Sequence, residues 1–164
     1  MCTWLSVCRE GWNIFEDHCY KFVNDQQMTH SSARGFCRSQ GGHLVHINTK
    51  TEDDYIKGYL INFYPNSTTW RTGGKEENGK FVWHFGGGKA SEPMTYTSWA
   101  PNMPGRYTTQ ILHKFEGTPP RFVWKSTWAG SNTGNSYQYP FICEAETSSK
   151  KFNVAVWLFT SAYI

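Results

Sequence analysis

Residues 31–47 read SSARGFCRSQGGHLVHI. Thr29 to Ser39 reads as a short helix, because Thr29 can cap its start and Gly41-Gly42 stops it. His43-Leu44-Val45-His46-Ile47 then reads as a strand. A capped helix turning on a glycine pair into an apolar strand sets the pattern for what lies on either side.

Before it, Cys19-Tyr20-Lys21-Phe22-Val23 carries the aromatic and β-branched residues of a strand. After it, Asn48 or Thr49 can cap a second helix. Glu52, Asp53 and Asp54 fill its first turn, where acids suit the helix dipole. That helix runs to about Asn62, ahead of Tyr64-Pro65. From Trp70 onward helical signals vanish. Gly73-Gly74, Asn78-Gly79, Gly86-Gly87-Gly88, Pro93, Pro101, Pro104 and Pro119-Pro120 punctuate short apolar runs. The plainest strands there are Gln110 to Phe115 and Phe122 to Trp124, with Tyr139 to Cys143 closing. Two helices early and strands late in one small unit predict an α+β domain. No internal repeat is visible.

The size agrees, since 164 residues is about one domain by the usual range of roughly 100–200. Eight Trp, nine Tyr and eleven Phe against only 18% charged residues exclude a disordered chain. The net charge is +3, and Lys150-Lys151 is the one adjacent basic pair. A nucleic-acid binder shows a basic stripe or run, so no nucleic-acid partner is expected.

Five cysteines, Cys2, Cys8, Cys19, Cys37 and Cys143, include no CxxC pair of a zinc or redox site. Distant cysteines in a tryptophan-rich chain point to disulfides and an oxidising compartment. Asn66-Ser67-Thr68 is a glycosylation sequon beside Pro65, in an expected surface loop. The expected location is extracellular, either secreted or as the ectodomain of a larger protein. Met1 to Val7 lacks the basic and apolar regions of a signal peptide. Phe152 to Ile164 is mostly apolar but short of the roughly 20 residues that span a membrane. It reads equally as an added strand, a truncated anchor, or sequence from another exon or frame.

Several strings resemble the C-type lectin-like family, in order. GWNIFEDHCYKF is similar to its opening strands and SSARGFCRSQGGHLVHI to its first helix and following strand. TWRTGG resembles its central strand. FVWHFGGG and YTSWAPNMPG resemble the start of its long loop, and YQYPFICE its closing strand. The resemblance covers Cys8 to Glu144. It implies a lectin-like domain over 8–144, an N-terminal extension over 1–7, and a tail over 145–164 of no assigned role. The implied fold is two helices flanking small antiparallel sheets, with a long irregular loop. The implied disulfides are Cys37–Cys143 and Cys8–Cys19. Chain entropy makes such closures worth about 3 kcal/mol for a short loop and about 4.7 for one near 100 residues. The family's further disulfide near the loop has no counterpart, since neither Gln110 or its neighbours nor the residues around Asn135 are Cys. Cys2 is left over, so a disulfide-linked dimer or a free thiol stays open.

Sugar-binding members hold calcium with Glu-Pro-Asn or Gln-Pro-Asp, a nearby Glu, and Asn-Asp after a Trp. Calcium wants 6–8 oxygen ligands, several from carboxylates. Here the tripeptide reads Met103-Pro104-Gly105, and Thr108 and Thr109 precede Gln110. Trp124 and Trp128 are followed by Lys125-Ser126 and Ala129-Gly130. From Phe85 to Phe141 two acids, Glu92 and Glu116, face five bases, Lys89, Arg106, Lys114, Arg121 and Lys125. That surplus opposes a divalent cation, so neither a metal nor another cofactor is expected.

His43 and His46 stand three apart on the expected strand, where side chains alternate, so they should not share a metal. Cys37 has a better use as a cystine than as a nucleophile. No GxSxG, HExxH or phosphate-loop motif occurs, so no enzyme activity is expected. Trp70, Trp83 and Trp124 read as core, while Trp99 and Tyr107 flank the loop. The candidate ligand-binding residues are Trp99, Met103, Pro104, Gly105, Arg106, Tyr107 and Lys125. Two function classes follow. The first is a recognition module binding a glycan, an anionic one by its bases, or a protein without calcium. The second is a structural or matrix-associated adhesive protein.

Overall fold

The computed structural model describes residues 2–128 and 137–153. Its elements run β1 (Cys2–Val7), β2 (Asn13–Phe15), β3 (His18–Met28), α1 (His30–Ser39), β4 (His43–Leu44), α2 (Lys50–Phe63), β5 (Thr69–Glu77), β6 (Lys80–Trp83), β7 (Glu92–Pro93), β8 (Thr109–Phe115), β9 (Arg121–Thr127), β10 (Tyr139–Glu146) and β11 (Ser148–Asn153). This is the expected α+β class.

Both helices begin on threonine caps. Thr29 Oγ1 accepts from Ser32 N at 3.3 Å, and Thr49 Oγ1 from Glu52 N at 3.1 Å. Ala33 and Cys37, one turn apart on α1, are fully buried. Gly41, at φ +75, ends that helix. A Cβ on Gly42 would run into the Glu144 carbonyl oxygen. That glycine is required by the close approach of β10.

The main sheet runs β2-β3-β10-β5-β6-β7, with β4 added to β10 and the β8–β9 hairpin hung on β5. The two disulfides are those the resemblance implied. Cys8–Cys19 has a Cα separation of 5.6 Å, and Cys37–Cys143, tying α1 to β10, one of 5.3 Å. The larger core lies between α2 and the sheet, where Ile56, Leu60, Trp70, Trp83, Leu112 and Trp124 exclude solvent entirely. A smaller one gathers Ala33, Leu44 and Phe141 around the Cys37–Cys143 bond.

Three sequence expectations change. The strand expected over His43 to Ile47 pairs only at His43–Leu44. Beyond it, Val45 N still bonds Ile142 O, but His46 N donates to the Glu144 carboxylate at 2.8 Å. A side chain thus takes the place of a ladder bond. With the alternation lost, the His43 and His46 rings come within 4.3 Å of each other rather than facing opposite sides. Gly73-Gly74, read as punctuation, lies inside β5. Cβ atoms there would sit 2.5 Å from His46 Cδ2 and from Gln110 Oε1, so these glycines mark close approach and not a turn. Finally, β1 and β11 pair antiparallel in a two-stranded sheet of their own. Ser148–Asn153 at the start of the tail thus form a strand, while 154–164, nearly all of the segment whose nature was left open, lie outside the described part. So does the Cys2 side chain, and with it the dimer expectation.

Candidate functional site

The long loop joins β6 to β8 and is fixed at its base by Asp53 on α2. This buried carboxylate accepts from Trp124 Nε1 at 2.8 Å, Tyr96 Oη at 3.0 Å and Lys57 Nζ at 2.6 Å. Trp99 reaches the same point. It bridges to Trp124 in parallel register, with Ala100 N on Trp124 O at 2.9 Å and ring centres 5.6 Å apart. Phe81 covers its other edge at 4.9 Å. Trp99 is thus a half-buried anchor of the loop.

Beyond it the chain turns through Asn102, at φ +62, into a cis Met103–Pro104 bond. Ser126 holds this turn, accepting from Gly105 N at 2.9 Å and lying 3.6 Å from Met103 Sδ. Pro104, Gly105, Arg106 and Tyr107 are exposed. Tyr107 meets Trp128 edge to face at 5.5 Å, and both rings stay open to solvent, at 39% and 49%. Residues 103–107 therefore form one face with Trp128. Nothing in the spacing marked Trp128 or Asp53 for these roles, because both depend on contacts across the fold.

Lys125 is not on that face. It alternates with Ser126 along β9 and stacks its ammonium 4.7 Å over Phe115. Lys114 donates to Pro65 O at 2.7 Å and pairs with Glu116 at 3.3 Å. Lys89 lies against Phe85, 3.5 Å from the ring centre. Of the five bases counted around the loop, only Arg106 stands among residues 103–107. Asn66 is exposed beyond the end of α2, next to Ser67, which bonds Asn24 Oδ1 at 2.6 Å.

A separate buried polar group lies on β10. Glu144 is 4% exposed, 3.9 Å from His43 Nδ1 and 3.7 Å from His18 Nε2. Burial pushes its carboxyl up to about 8, helped by the Glu52 charge. Burial also holds the His46 imidazole down to about 2. His46 is therefore neutral, with its Nε2 unpartnered among the described residues and its ring 5.2 Å from Trp83. Among the described residues no three His, Cys, Asp or Glu side chains group to hold a metal ion.

Residues 26–145 match the model of the lectin C-type domain. The chain belongs to the C-type lectin family. One subunit of the snaclec agkisacutacin from Deinagkistrodon acutus is 31% identical over 84% of this chain and 84% of its own. C-type lectin lectoxin-Lio2 of Erythrolamprus poecilogyrus is 29% identical over 87% of this chain and 83% of its own. Among solved structures, the Ca2+-independent C-type lectin SPL-2 from Saxidomus purpuratus superposes with a TM-score of 0.70 at 23% identity, covering 84% of this chain and 93% of that one. A calcium-independent type II antifreeze protein gives a TM-score of 0.68 at 21% identity, covering 88% and 98%. This C-type lectin domain is a binding module rather than an enzyme. Among its described residues, no helix is long and apolar enough to cross a membrane.

A buried cation also ties the sheet together near the base of the loop. The buried Arg71 guanidinium donates to Thr109 Oγ1 at 3.3 Å, to Met28 O at 3.2 Å and to Tyr137 O. It therefore joins the start of β8 to the segment entering β10.

Proposed function

We propose that this C-type lectin domain is an extracellular recognition module that binds a carbohydrate or protein ligand without calcium, through the face formed by residues 103–107 and Trp128. The observation carrying the reading is the turn at Met103-Pro104-Gly105. It is held by the bond from Gly105 N to Ser126 Oγ, and presents a thioether and a glycine where a calcium ion would need carboxylates. Beside it stand a cation, Arg106, and the open Tyr107–Trp128 pair. Guanidinium suits carboxylate or sulfate, and exposed aromatic rings suit the apolar face of a sugar or a side chain. An anionic glycan fits that combination better than a neutral one. Trp99 holds the face in place, and Lys125 would act from the neighbouring surface of β9. Cysteine usage and the sequon at Asn66 support an extracellular setting, with Asn66 the glycosylated residue.

A glycan array probed with the full chain in chelator tests this. Specific hits that Arg106→Ala plus Tyr107→Ala abolishes are expected. Binding restricted to mineral or matrix, indifferent to the double substitution, would instead mark a structural adhesive.

A further inference from the structure

Basic residues converge at the root of the long loop rather than at its tip. There Gly86-Gly87-Gly88 wraps against the second half of α1, all three at positive φ of +75, +63 and +80. A Cβ on Gly86 would lie 2.5 Å from Arg34 Nε, and one on Gly87 would run into the Arg38 guanidinium. Glycine at both positions lets the two guanidinium groups lie against the turn. Arg34 and Arg38, one helical turn apart, have no ion pair or side-chain hydrogen bond among the described residues. Lys89 follows, ordered by the Phe85 ring beneath its ammonium. From the far side Arg9 reaches Gly41, donating to Gln40 O.

Between these groups lies a groove of about 430 Å³, lined by Arg38, Gly42, His43, Phe85, Lys89 and Glu146. Glu146 is the acid of this lining. Its side chain is 84% exposed and faces His18 at 3.8 Å, so it leaves the cations largely uncompensated. A basic residue in the last turn of a helix is favoured by the dipole. That accounts for Arg38 but not for Arg34 or Lys89. The volume falls within the range of small-molecule sites, roughly 300–1,000 Å³, and is too small for a partner's helix. A bare oxyanion would leave most of it to water. An anion that filled the groove would therefore be one substituent of a larger polar ligand.

We propose that this groove is an anion site, separate from the long-loop face, that takes a sulfate or carboxylate group carried on a saccharide. Charge-assisted hydrogen bonds from Arg38 and Lys89 would hold the oxyanion, with Arg34 and Arg9 supplying field from either side. The inference goes beyond the long-loop reading and does not rest on it.

Isothermal titration of the full chain with a sulfated disaccharide, its desulfated counterpart and inorganic sulfate, at one fixed salt concentration, tests it. The sulfated disaccharide is expected to bind tightest. Arg38→Gln plus Lys89→Gln, both exposed and so compatible with folding, should weaken it by about tenfold or more. Lys80→Gln, an exposed base that lines neither the groove nor the long-loop face, should leave this binding unchanged. The proposal is overturned if the Arg38 and Lys89 double binds like the parent, or if the desulfated sugar binds equally well. Inorganic sulfate binding as tightly as the disaccharide would remove the saccharide from it. Loss confined to the Arg106 and Tyr107 double would overturn the groove while leaving the long-loop reading standing.

Discussion

Arg71 is a fully buried cation with no ion pair among the described residues. Burial pulls its guanidinium down to about 10, still charged at neutral pH. Three oxygens and the Tyr139 ring, 5.2 Å away, stand in for a carboxylate. Arg71→Met would leave Met28 O, Thr109 Oγ1 and Tyr137 O short of a donor. We expect a loss of about 2–4 kcal/mol, read from urea unfolding; a neutral result would remove the clamp from the account. Glu144 makes a second prediction at this scale. Its carboxyl is raised in the folded state to about 8, so the native protein binds a proton that the unfolded chain releases. The stability this gives is full below the ordinary carboxyl range and is lost as pH rises through about 8. His30, His43 and His46 are shifted downward by burial and act oppositely, but only below the ordinary imidazole value. From about pH 6.5 to 8 the carboxyl dominates, and unfolding free energy should fall by up to about 1.4 kcal/mol per pH unit. In Glu144→Gln that slope should flatten. An unchanged slope would mean that another group titrates there.

Elements differ in how plainly the sequence announces them. The two helices carry their caps and stops in adjacent residues, so Thr29, Thr49 and the Gly41-Gly42 break were legible. Asn78-Gly79 was visible as a turn, and it closes the β5–β6 hairpin with both residues at positive φ, +52 and +82. The interior of β5 was not, because its glycines respond to His46 and Gln110, which are distant in sequence. The Tyr107–Trp128 face and the root groove were hidden for the same reason. Both cross-links belong to this scale as well. Cys8–Cys19 spans 11 residues and Cys37–Cys143 spans 106. Replacing the second pair by alanine should therefore cost more, about 4.7 kcal/mol against about 3 for a short loop. Denaturant midpoints of the two double variants give the order, and equal losses would contradict an origin in chain entropy.

For the whole molecule, the fold is that of the C-type lectin family, while the long loop between β6 and β8 sets one acid, Glu92, against two bases, Lys89 and Arg106. Its shape is kept by contacts inside the protein: Asp53 on Tyr96, Trp124 on Ala100, and Ser126 on Gly105. On the proposed reading, no calcium ion is needed to hold the binding face. Thermal unfolding of the full chain in millimolar calcium and in chelator is the test. A ligand at 100 times its dissociation constant would add about 2.7 kcal/mol of stability. The account predicts superimposable melting curves in the two buffers; a clear rise in melting temperature with calcium, reversed by chelator, would contradict it.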